Sequence, residues 1–163
     1  MVHRTREIHI VKNLELASWC SEGPFGKSTT RLKGSFAKGK TFERSVARAL
    51  ARKLEPEALI YNRWIRFRDA GEWHYAQVDL VVVAQTRLWL LEVKRTQTTD
   101  AWVQLGKLYK PLLEMLYPGL DIICVQVCKN LLWAPHAEIS ALREAVDPNV
   151  FYTYHWVGED FRI

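Results

Sequence analysis

The sequence predicts an α/β domain in which a mixed β-sheet carries helices on its faces. Three observations support this fold class. Strand-like and helix-like segments alternate along the chain, and two of the strands are almost entirely apolar, which is typical of strands covered on both faces. The 163 residues are also enough to bury the core of one domain. The expected order is helix, three strands, helix, strand, helix and strand.

The first elements are a helix and a hairpin. The helix is expected over residues 41–54, where Thr41 can cap its N-terminus and apolar residues recur at helical spacing. Residues 59–68 and 73–83 are rich in β-forming residues, and residues 69–72 between them have turn composition. The second arm of this hairpin ends in an apolar run that belongs inside a covered sheet.

The remaining elements complete the sheet. A second buried strand is expected over residues 88–94, and a helix over residues 99–117. Pro111 should kink that helix, because it lacks an N–H and crowds the carbonyl of residue 107. The last expected elements are a strand at residues 122–127, a short helix near residues 137–145 and a strand near residues 150–156.

The net charge of +5 is concentrated near the N-terminus. Residues 1–40 hold eight Lys or Arg and three acidic residues, 8 − 3 = +5, whereas residues 41–163 hold 15 of each sign. We therefore expect a basic N-terminal arm over residues 1–40 and a folded domain over residues 41–163. A basic arm on a neutral body suits the binding of nucleic-acid phosphates through counterion release, and a solvated leader is the alternative.

Composition indicates a soluble globular protein, with 48% hydrophobic and 25% charged residues. The sequence has neither an apolar run of about 20 residues, as a membrane span requires, nor the apolar core of a signal peptide. We therefore expect a cytoplasmic protein with no membrane partner. Cys124 and Cys128 are expected to be buried free thiols, because no further Cys or His has metal-ligand spacing.

Charged residues interrupt the two apolar strands. Asp79 lies within a run of Val and Leu, and Glu92 and Lys94 lie in the next strand. A buried ionised carboxylate is costly unless it is paired or bound to metal. Because consecutive strands usually pair, Asp79 and Glu92 are expected to approach across one strand spacing, about 4.8 Å. Their repulsion would be relieved by a divalent cation, and a structural ion-pair network is the alternative explanation.

The spacing within the second strand adds a cation to this set. Glu92 and Lys94 are two positions apart, so their side chains leave the same face of the strand. Oxygen ligands suit Mg²⁺. An ammonium group beside the metal could orient the attacking water or neutralise charge that develops on a phosphate. The set therefore predicts phosphodiester chemistry.

Two helical residues extend the set. Glu43 continues the apolar line of the first helix at spacings of three and four residues, so it could reach the sheet. The alternative is a first-turn acid that stabilises the positive end of the helix. Gln104, on the later helix, could hold a phosphate or a water molecule, and an exposed polar flank is its alternative.

The order of these residues resembles the PD-(D/E)xK nuclease superfamily, in which an acid on one strand precedes Glu-x-Lys on the next. Here the signature reads Val78-Asp79 followed by Glu92-Val93-Lys94, with valine in place of the usual proline. The resemblance covers about residues 40–117. It implies a restriction-endonuclease-like fold with a mixed central sheet flanked by helices.

Helical segments on either side of the signature resemble two branches of this superfamily. The segment 40–44, which contains Glu43, resembles a helix of Holliday-junction resolvases. Gln104 and Tyr109 resemble the glutamine–tyrosine helix of the exonuclease branch, although four residues separate them here instead of three. The segment 102–111 is similar to small phage-encoded nucleases.

The resemblance implies roles for these residues. Asp79, Glu92 and the Val93 carbonyl would be the primary ligands of Mg²⁺, for which Mn²⁺ could substitute. Glu43 would be a ligand of a second metal or bind through water. Lys94 would supply electrostatic stabilisation and orient water, and Gln104 would position the phosphate.

The expected substrate is DNA, and the enzyme would be an endonuclease specific for branched structures such as Holliday junctions, in recombination or repair, acting as a homodimer. An exonuclease or nickase of the same fold is one alternative. A non-catalytic DNA-binding or assembly protein, or a purely structural partner-binding module, is another. The basic side chains expected to grip DNA are Lys33, Lys38, Lys40, Arg44, Arg66, Arg68 and Lys107.

Overall fold

The computed structural model describes residues 7–24, 34–133 and 147–157. A six-stranded mixed sheet forms the centre, and its strand order follows the chain. Strands one to four are antiparallel neighbours, and strands four to six are parallel. The predicted α/β fold class is confirmed. The strands are β1 (Leu14–Cys20), β2 (Leu59–Asp69), β3 (Glu72–Val83), β4 (Arg87–Thr96), β5 (Asp121–Asn130) and β6 (Tyr152–His155).

Helices cover both faces of this sheet. The longest is α1 (Gly34–Ala51). The second helical layer is contiguous and consists of α2 (Thr99–Val103), a π-helical turn (Gln104–Tyr109) and α3 (Lys110–Leu116). None of the described helices combines the length and apolar character needed to cross a bilayer. The helix predicted near residues 137–145 lies outside the described residues.

Two apolar cores lie on opposite faces of the sheet. On one face, Val46 and Leu50 of α1 pack over β4 and β5. On the other face, Leu105 and Leu112 of the second helical layer pack over the same strands. Each fully buried side chain of this size contributes about 1.5–3 kcal/mol. Because β4 and β5 are covered on both faces, their sequences are apolar at successive positions, as predicted.

The first helix begins earlier than predicted. It starts at Gly34, so Thr41 lies inside α1 and does not cap it as predicted. The Thr41 hydroxyl donates instead to the Ala37 carbonyl one turn earlier. Gly34 and Gly39 have low helix propensity, which explains why the preceding sequence resembled a loop. The charged and glycine-rich start of α1 is therefore helical despite its composition.

Strand β1 was not predicted. Its residues lie in the segment interpreted as a basic arm, yet they pair antiparallel with β2 at the edge of the sheet. The register is irregular between Leu14 and Leu16, and Leu16 is exposed. The strand consequently lacks the clean alternation by which a half-buried strand is recognised. Residues 14–20 belong to the same sheet as the rest of the domain.

The residues before β1 are fixed to the hairpin turn. Buried Asp69 accepts hydrogen bonds from the backbone N–H groups of Lys12 and Asn13, and the His9 Nε2 lies 2.8 Å from its Oδ2. Burial alone would raise the pKa of Asp69, but the hydrogen bonds outweigh it and hold the pKa below its usual value. The hairpin itself turns through Ala70 and Gly71, both at positive φ, within the predicted turn.

Pro111 is accommodated by the π-helical turn that precedes it. The Lys110 N–H bonds to the Leu105 carbonyl, a spacing of five residues instead of four. Pro111 has no N–H to offer the Lys107 carbonyl. That carbonyl instead accepts the Val11 N–H at 3.0 Å. The N-terminal segment therefore satisfies the acceptor that the proline leaves open, and the helical layer remains contiguous.

The cysteines lie where the sequence predicted. Cys124 and Cys128 are buried in β5 and form no disulfide. Burial raises the pKa of the Cys124 thiol to about 12. Both thiols are therefore protonated at neutral pH and serve as core residues.

Partway along β2 and β3, the side chains of the hairpin switch from one face of the sheet to the other; we call this switch the phase change. Val78 and Val81 pack under the second helical layer, whereas Leu80 packs under α1. In a regular strand, Val78 and Leu80 would share a face. The change therefore occurs at Asp79. Asn62 lies opposite on β2, between two paired positions, and has a φ of 53°.

This phase change predicts a specific sensitivity at Asn62. Valine at positive φ costs about 1–2 kcal/mol, and a β-branched side chain is especially unfavourable there. We expect Asn62→Val to lower the free energy of unfolding by at least that much, whereas Asn62→Gly, which tolerates positive φ, should stay within about 1 kcal/mol of the parent. Urea denaturation measures both. Equal stability of the two variants would contradict the assigned backbone conformation.

Candidate active site

The acidic residues predicted from sequence meet where β3 and β4 separate. The ladder between these strands runs from Val83–Leu88 to Leu80–Leu91 and ends there. Asp79 and Glu92 are the next positions in register. In place of a further ladder bond, the Asp79 Oδ2 accepts the Val93 N–H at 2.9 Å. The Asp79 carboxylate thus lies in the gap between the strands, beside Glu92.

Glu92 is the most deeply buried of these acids. It is 2% exposed, and its Oε1 lies 2.8 Å from the Lys94 Nζ. Its Oε2 is buried with no hydrogen-bond partner among the described residues. The Asp79 and Glu92 carboxyl groups interact electrostatically with each other. The Lys94 ammonium group therefore satisfies one carboxylate oxygen, whereas the other oxygen is available to a proton or a cation.

Glu43 joins the set from α1. Its Oε2 receives a hydrogen bond from the Lys40 Nζ at 2.9 Å, one helical turn earlier. Glu43 interacts electrostatically with both Asp79 and Glu92. The cluster consequently holds three carboxylates and two ammonium groups.

The two strand carboxyl groups are perturbed in the same direction. Burial, followed by repulsion from Glu92 and Glu43, raises the pKa of Asp79 well above its usual value. Burial also raises the pKa of Glu92, although Lys94 opposes the shift. These are the shifts expected of neighbouring buried acids that compete for positive charge.

Lys94 is held as an ammonium group. Burial would lower its pKa, but the carboxylates of Glu92, Asp79 and Glu43 outweigh burial and raise the pKa above the usual value. The same balance raises the pKa of Lys40 beside Glu43. Lys94 is therefore charged at neutral pH and suited to electrostatic stabilisation, not to proton abstraction.

The oxygen donors of the cluster are chemically suited to a hard cation, although their side chains do not form a preorganised coordination site. Among the described residues, no three His, Cys, Asp or Glu side chains already converge on one metal position. The lysines explain this, because each occupies one oxygen of a glutamate. The unpartnered Glu92 Oε2 and the neighbouring Asp79 carboxylate are the oxygens that a cation would satisfy. The Val93 carbonyl leaves the same edge of β4 as the N–H bound to Asp79, so it could serve as a third oxygen.

The π-helical turn brings Tyr109 to the same place. The Tyr109 hydroxyl donates to the Gln77 carbonyl, two residues before Asp79. Burial, and then the charges of Glu92, Asp79 and Glu43, raise the pKa of Tyr109 well above its usual value. The phenol thus lies beside the carboxylates as a neutral hydrogen-bond donor.

The same turn accounts for the spacing between Gln104 and Tyr109. In a π-helical turn, the residue five positions on completes the turn, whereas in an α-helix it is the residue four positions on. The π-helical turn therefore accommodates the one extra residue between Gln104 and Tyr109. The two residues lie one turn apart, as they would with three intervening residues in an α-helix. The Gln104 Oε1 is buried without a partner in the described part of the chain.

The segment that carries this cluster matches a known family. Residues 38–117 match the family model described as nuclease-related domain. The match supports the predicted resemblance to PD-(D/E)xK-like nucleases and spans every carboxylate and lysine of the cluster. No curated protein and no solved structure was significantly similar to the chain.

The described basic residues that were expected to bind DNA do not form one surface of the domain. Lys38 and Arg44 are exposed on α1, whereas Lys107 is exposed on the helical layer of the opposite face. Lys40 is engaged by Glu43. Lys33 lies outside the described residues. A DNA strand that follows α1 would not reach Lys107 without crossing the edge of the sheet.

The two hairpin arginines have other contacts. The Arg66 guanidinium stacks over the ring of exposed Trp73 at 4.1 Å, and Arg68 lies 3.3 Å from the Glu15 carboxylate. Both side chains remain exposed. A stacked arginine–tryptophan pair still offers donors and an aromatic face to a nucleic acid.

The ion pair that places Lys40 in the cluster was not predicted from the sequence. The spacing of three residues between Lys40 and Glu43 is the signal that identifies a helical ion pair. The positive φ of Asn62 was not predicted either, because it leaves no pattern in the strand sequence. Gln77 donates from its Nε2 to the Asn62 carbonyl at 3.3 Å and so links β3 to this residue.

The raised pKa of Asp79 predicts that its charge destabilises the native state. An acid with a raised native pKa binds its proton more tightly when folded, so stability falls as the pH rises from the ordinary value of the acid through its native value. Asp79→Asn removes the charge and keeps an oxygen for the Val93 N–H. We expect it to raise the free energy of unfolding at neutral pH by about 1 kcal/mol.

The pH dependence makes this prediction specific. The gain should shrink as the pH falls towards about 4, where a carboxyl group in the unfolded chain is protonated. Glu72→Gln, on the exposed start of β3, is the matched control and should leave the free energy of unfolding unchanged at every pH. A lower stability of Asp79→Asn at neutral pH would contradict the assigned repulsion.

Proposed function

We propose that this domain is a metal-dependent deoxyribonuclease that hydrolyses DNA phosphodiester bonds at the cluster of Asp79, Glu92 and Lys94. One observation carries the proposal. Glu92 is buried with an ammonium on one oxygen and, among the described residues, no hydrogen-bond partner on the other, beside the half-buried carboxylate of Asp79. A structural ion pair needs only one acid for each lysine, whereas this arrangement leaves a carboxylate oxygen open to a cation.

Mg²⁺ is the proposed cofactor, and Mn²⁺ is expected to substitute for it. Asp79, the Glu92 Oε2 and the Val93 carbonyl would hold the ion, and Glu43 would contribute directly or through water after releasing Lys40. When bound, such an ion lowers the pKa of a coordinated water and stabilises the charge of an in-line displacement.

The chain's own cations complete the site. Lys94 lies two residues after Glu92, on the same face of β4. Its ammonium group is placed where a phosphate would approach the carboxylates. It can neutralise charge on the phosphate and orient water without giving up its proton. Lys40 offers a second ammonium once Glu43 is otherwise engaged.

Neutral groups hold the frame of the site. Tyr109 fixes the π-helical turn to the Gln77 carbonyl, next to the phase change that positions Asp79. Gln104, on the same turn, is proposed to position a phosphate through its amide.

The proposed substrate is DNA, with a structure-specific endonuclease on branched DNA as the first interpretation and an exonuclease or nickase as the alternative. Two exposed arginines of α1, Arg44 and Arg48, line a shallow apolar cavity together with Leu59 and Tyr61 of β2. With the Arg66–Trp73 pair on β2 and β3, they offer positive charge and aromatic faces to a strand. Homodimerisation would give such a small domain two cutting sites, as a junction requires.

A second candidate function is DNA binding without cleavage. The observation that favours it is that a lysine pairs with each of Glu43 and Glu92. A fold that keeps its carboxylates paired can be stable as a scaffold and need no ion. The two functions differ in their response to Mg²⁺.

Incubation with Mg²⁺ and a panel of four-way junction, linear, nicked and single-stranded DNA tests the proposal. We expect the parent to cut at least one substrate, and Asp79→Asn and Lys94→Ala each to lower the rate by at least about a hundredfold while DNA affinity is retained. Glu72→Gln and Lys12→Ala remove exposed charges of the same sign elsewhere and should cut normally. Normal cutting by Asp79→Asn would refute the site.

Metal binding has an independent measurement. Mg²⁺ should raise the melting temperature of the parent but not that of Asp79→Asn, since a ligand of the native state stabilises it in proportion to the logarithm of its concentration. A parent that binds DNA, cuts none of the panel with Mg²⁺ or Mn²⁺, and melts at the same temperature with and without either ion would support the non-catalytic function instead.

A further inference from the structure

A cavity of about 380 Å³ lies beside the carboxyl ends of β4 and β5, against α1. Arg95 and Lys129 occupy equivalent positions near the ends of these parallel strands, one residue beyond the Lys94–Cys128 pair. Lys38, from the first turns of α1, closes the third side. The floor is formed by Phe42 and Trp156, both buried. Three cationic side chains therefore surround one small cavity.

Among the described residues, no acidic side chain balances this charge. No acidic residue lines it, and none of Lys38, Arg95 and Lys129 has an ion pair within the described ranges. Like charges held together destabilise each other, and an anion between them reverses the sign of the interaction. The half-buried Arg95 guanidinium is well suited to this, because its planar donors match the geometry of a phosphate.

The hydroxyl groups in the cavity do not compete with the cations as donors. Thr41 donates to the Ala37 carbonyl, and Ser45 donates to the Thr41 carbonyl. The charged donors that the described lining offers to a ligand are therefore those of the two lysines and the arginine. A ligand held by these three cations is anionic.

The cavity and the carboxylate cluster share two elements. Lys94 and Arg95 are consecutive on β4, so their side chains leave opposite faces of the strand. On α1, Lys40 and Glu43 belong to the cluster, whereas Lys38 and Ser45 line the cavity. A nucleic-acid strand at the cluster would thus have a second phosphate site within reach at the same end of the sheet.

We propose that this cavity, lined by Lys38, Arg95 and Lys129, binds a phosphate group of the nucleic acid other than the one that is cleaved. The inference rests on the proposed function in that the ligand is a nucleic acid. The phosphate has two sources: the terminal phosphate of a strand end, or an internal phosphate of the backbone. A site for a terminal phosphate would direct cutting from an end, and a site for an internal one would set the distance to the cutting position.

Substitutions in the cavity test this by DNA binding in EDTA, where no cleavage occurs. Ser45→Glu places a carboxylate among the three cations, and Ser45→Gln is its neutral control of equal size. We expect Ser45→Glu to weaken binding of short single-stranded oligonucleotides about tenfold relative to Ser45→Gln. The same variant should melt at a higher temperature than Ser45→Gln, because the new carboxylate pairs with the cations.

Loss of a cation gives a second measurement. Lys129→Gln, at an exposed position, and Arg95→Gln should each reduce the slope of log affinity against log salt by about one. Arg87→Gln removes the same charge at the opposite end of β4 and should leave the slope unchanged. Equal binding by Ser45→Glu and Ser45→Gln, or equal slopes for Lys129→Gln and Arg87→Gln, would overturn the proposal.

The source of the phosphate is resolved by the ends of the probe. Preference of the parent for 5′-phosphorylated or 3′-phosphorylated over unmodified oligonucleotides, lost in Ser45→Glu, identifies a terminal phosphate. If Ser45→Glu weakens the binding of linear and circular single strands equally, the cavity binds an internal phosphate. These measurements do not depend on cleavage. A binding effect without cutting would defeat the proposed nuclease but not the cavity, and cutting without a binding effect would defeat the cavity alone.

Discussion

The hydrogen bond from the Val93 N–H to the Asp79 carboxylate is the constraint on which the candidate site depends. It replaces a main-chain bond at the position where β3 and β4 part, so a side-chain oxygen takes the place of a carbonyl in the ladder. This substitution requires the hairpin to change phase at Asp79, which Asn62 permits through its positive φ on the neighbouring strand. Without the phase change, Asp79 would continue the regular alternation and the gap that holds its carboxylate beside Glu92 would close.

Electrostatic conflict within this gap is the consequence. Three carboxylates face two ammonium groups, and burial raises the pKa of both strand acids. Stability alone would favour a neutral residue at one of these positions, as in cores where polar groups are absent. An arrangement that sacrifices stability to hold charges together is typical of functional sites. The lysines limit that cost by pairing with one oxygen of Glu43 and of Glu92, and they leave the second oxygen of Glu92 open.

Sequence predicted the parts of this arrangement that follow from burial. The apolar runs of β3 and β4 identified covered strands, and the acids within them were therefore conspicuous. The start of α1 was not predictable in the same way, since Gly34 and Gly39 obscure a helix that tertiary packing stabilises. The phase change at Asn62 was also hidden, because a strand sequence records which residues are apolar but not where the backbone leaves its regular path. The extra residue between Gln104 and Tyr109 was visible in the sequence. Only the structure reveals that a π-helical turn accommodates it and keeps the two side chains one turn apart.

The N-terminal segment shows why the basic-arm interpretation was incomplete. Its positive charge suggested an appendage, but its backbone connects two structures that frame the site. Lys12 and Asn13 bind the Asp69 carboxylate at the hairpin turn, and Val11 binds the Lys107 carbonyl on the π-helical turn. Tyr109, from that same turn, reaches back to Gln77 on the hairpin. The hairpin and the helical layer are thus joined twice, once through the N-terminal segment and once through Tyr109, so residues before β1 help to fix the position of a phenol that lies beside the carboxylates.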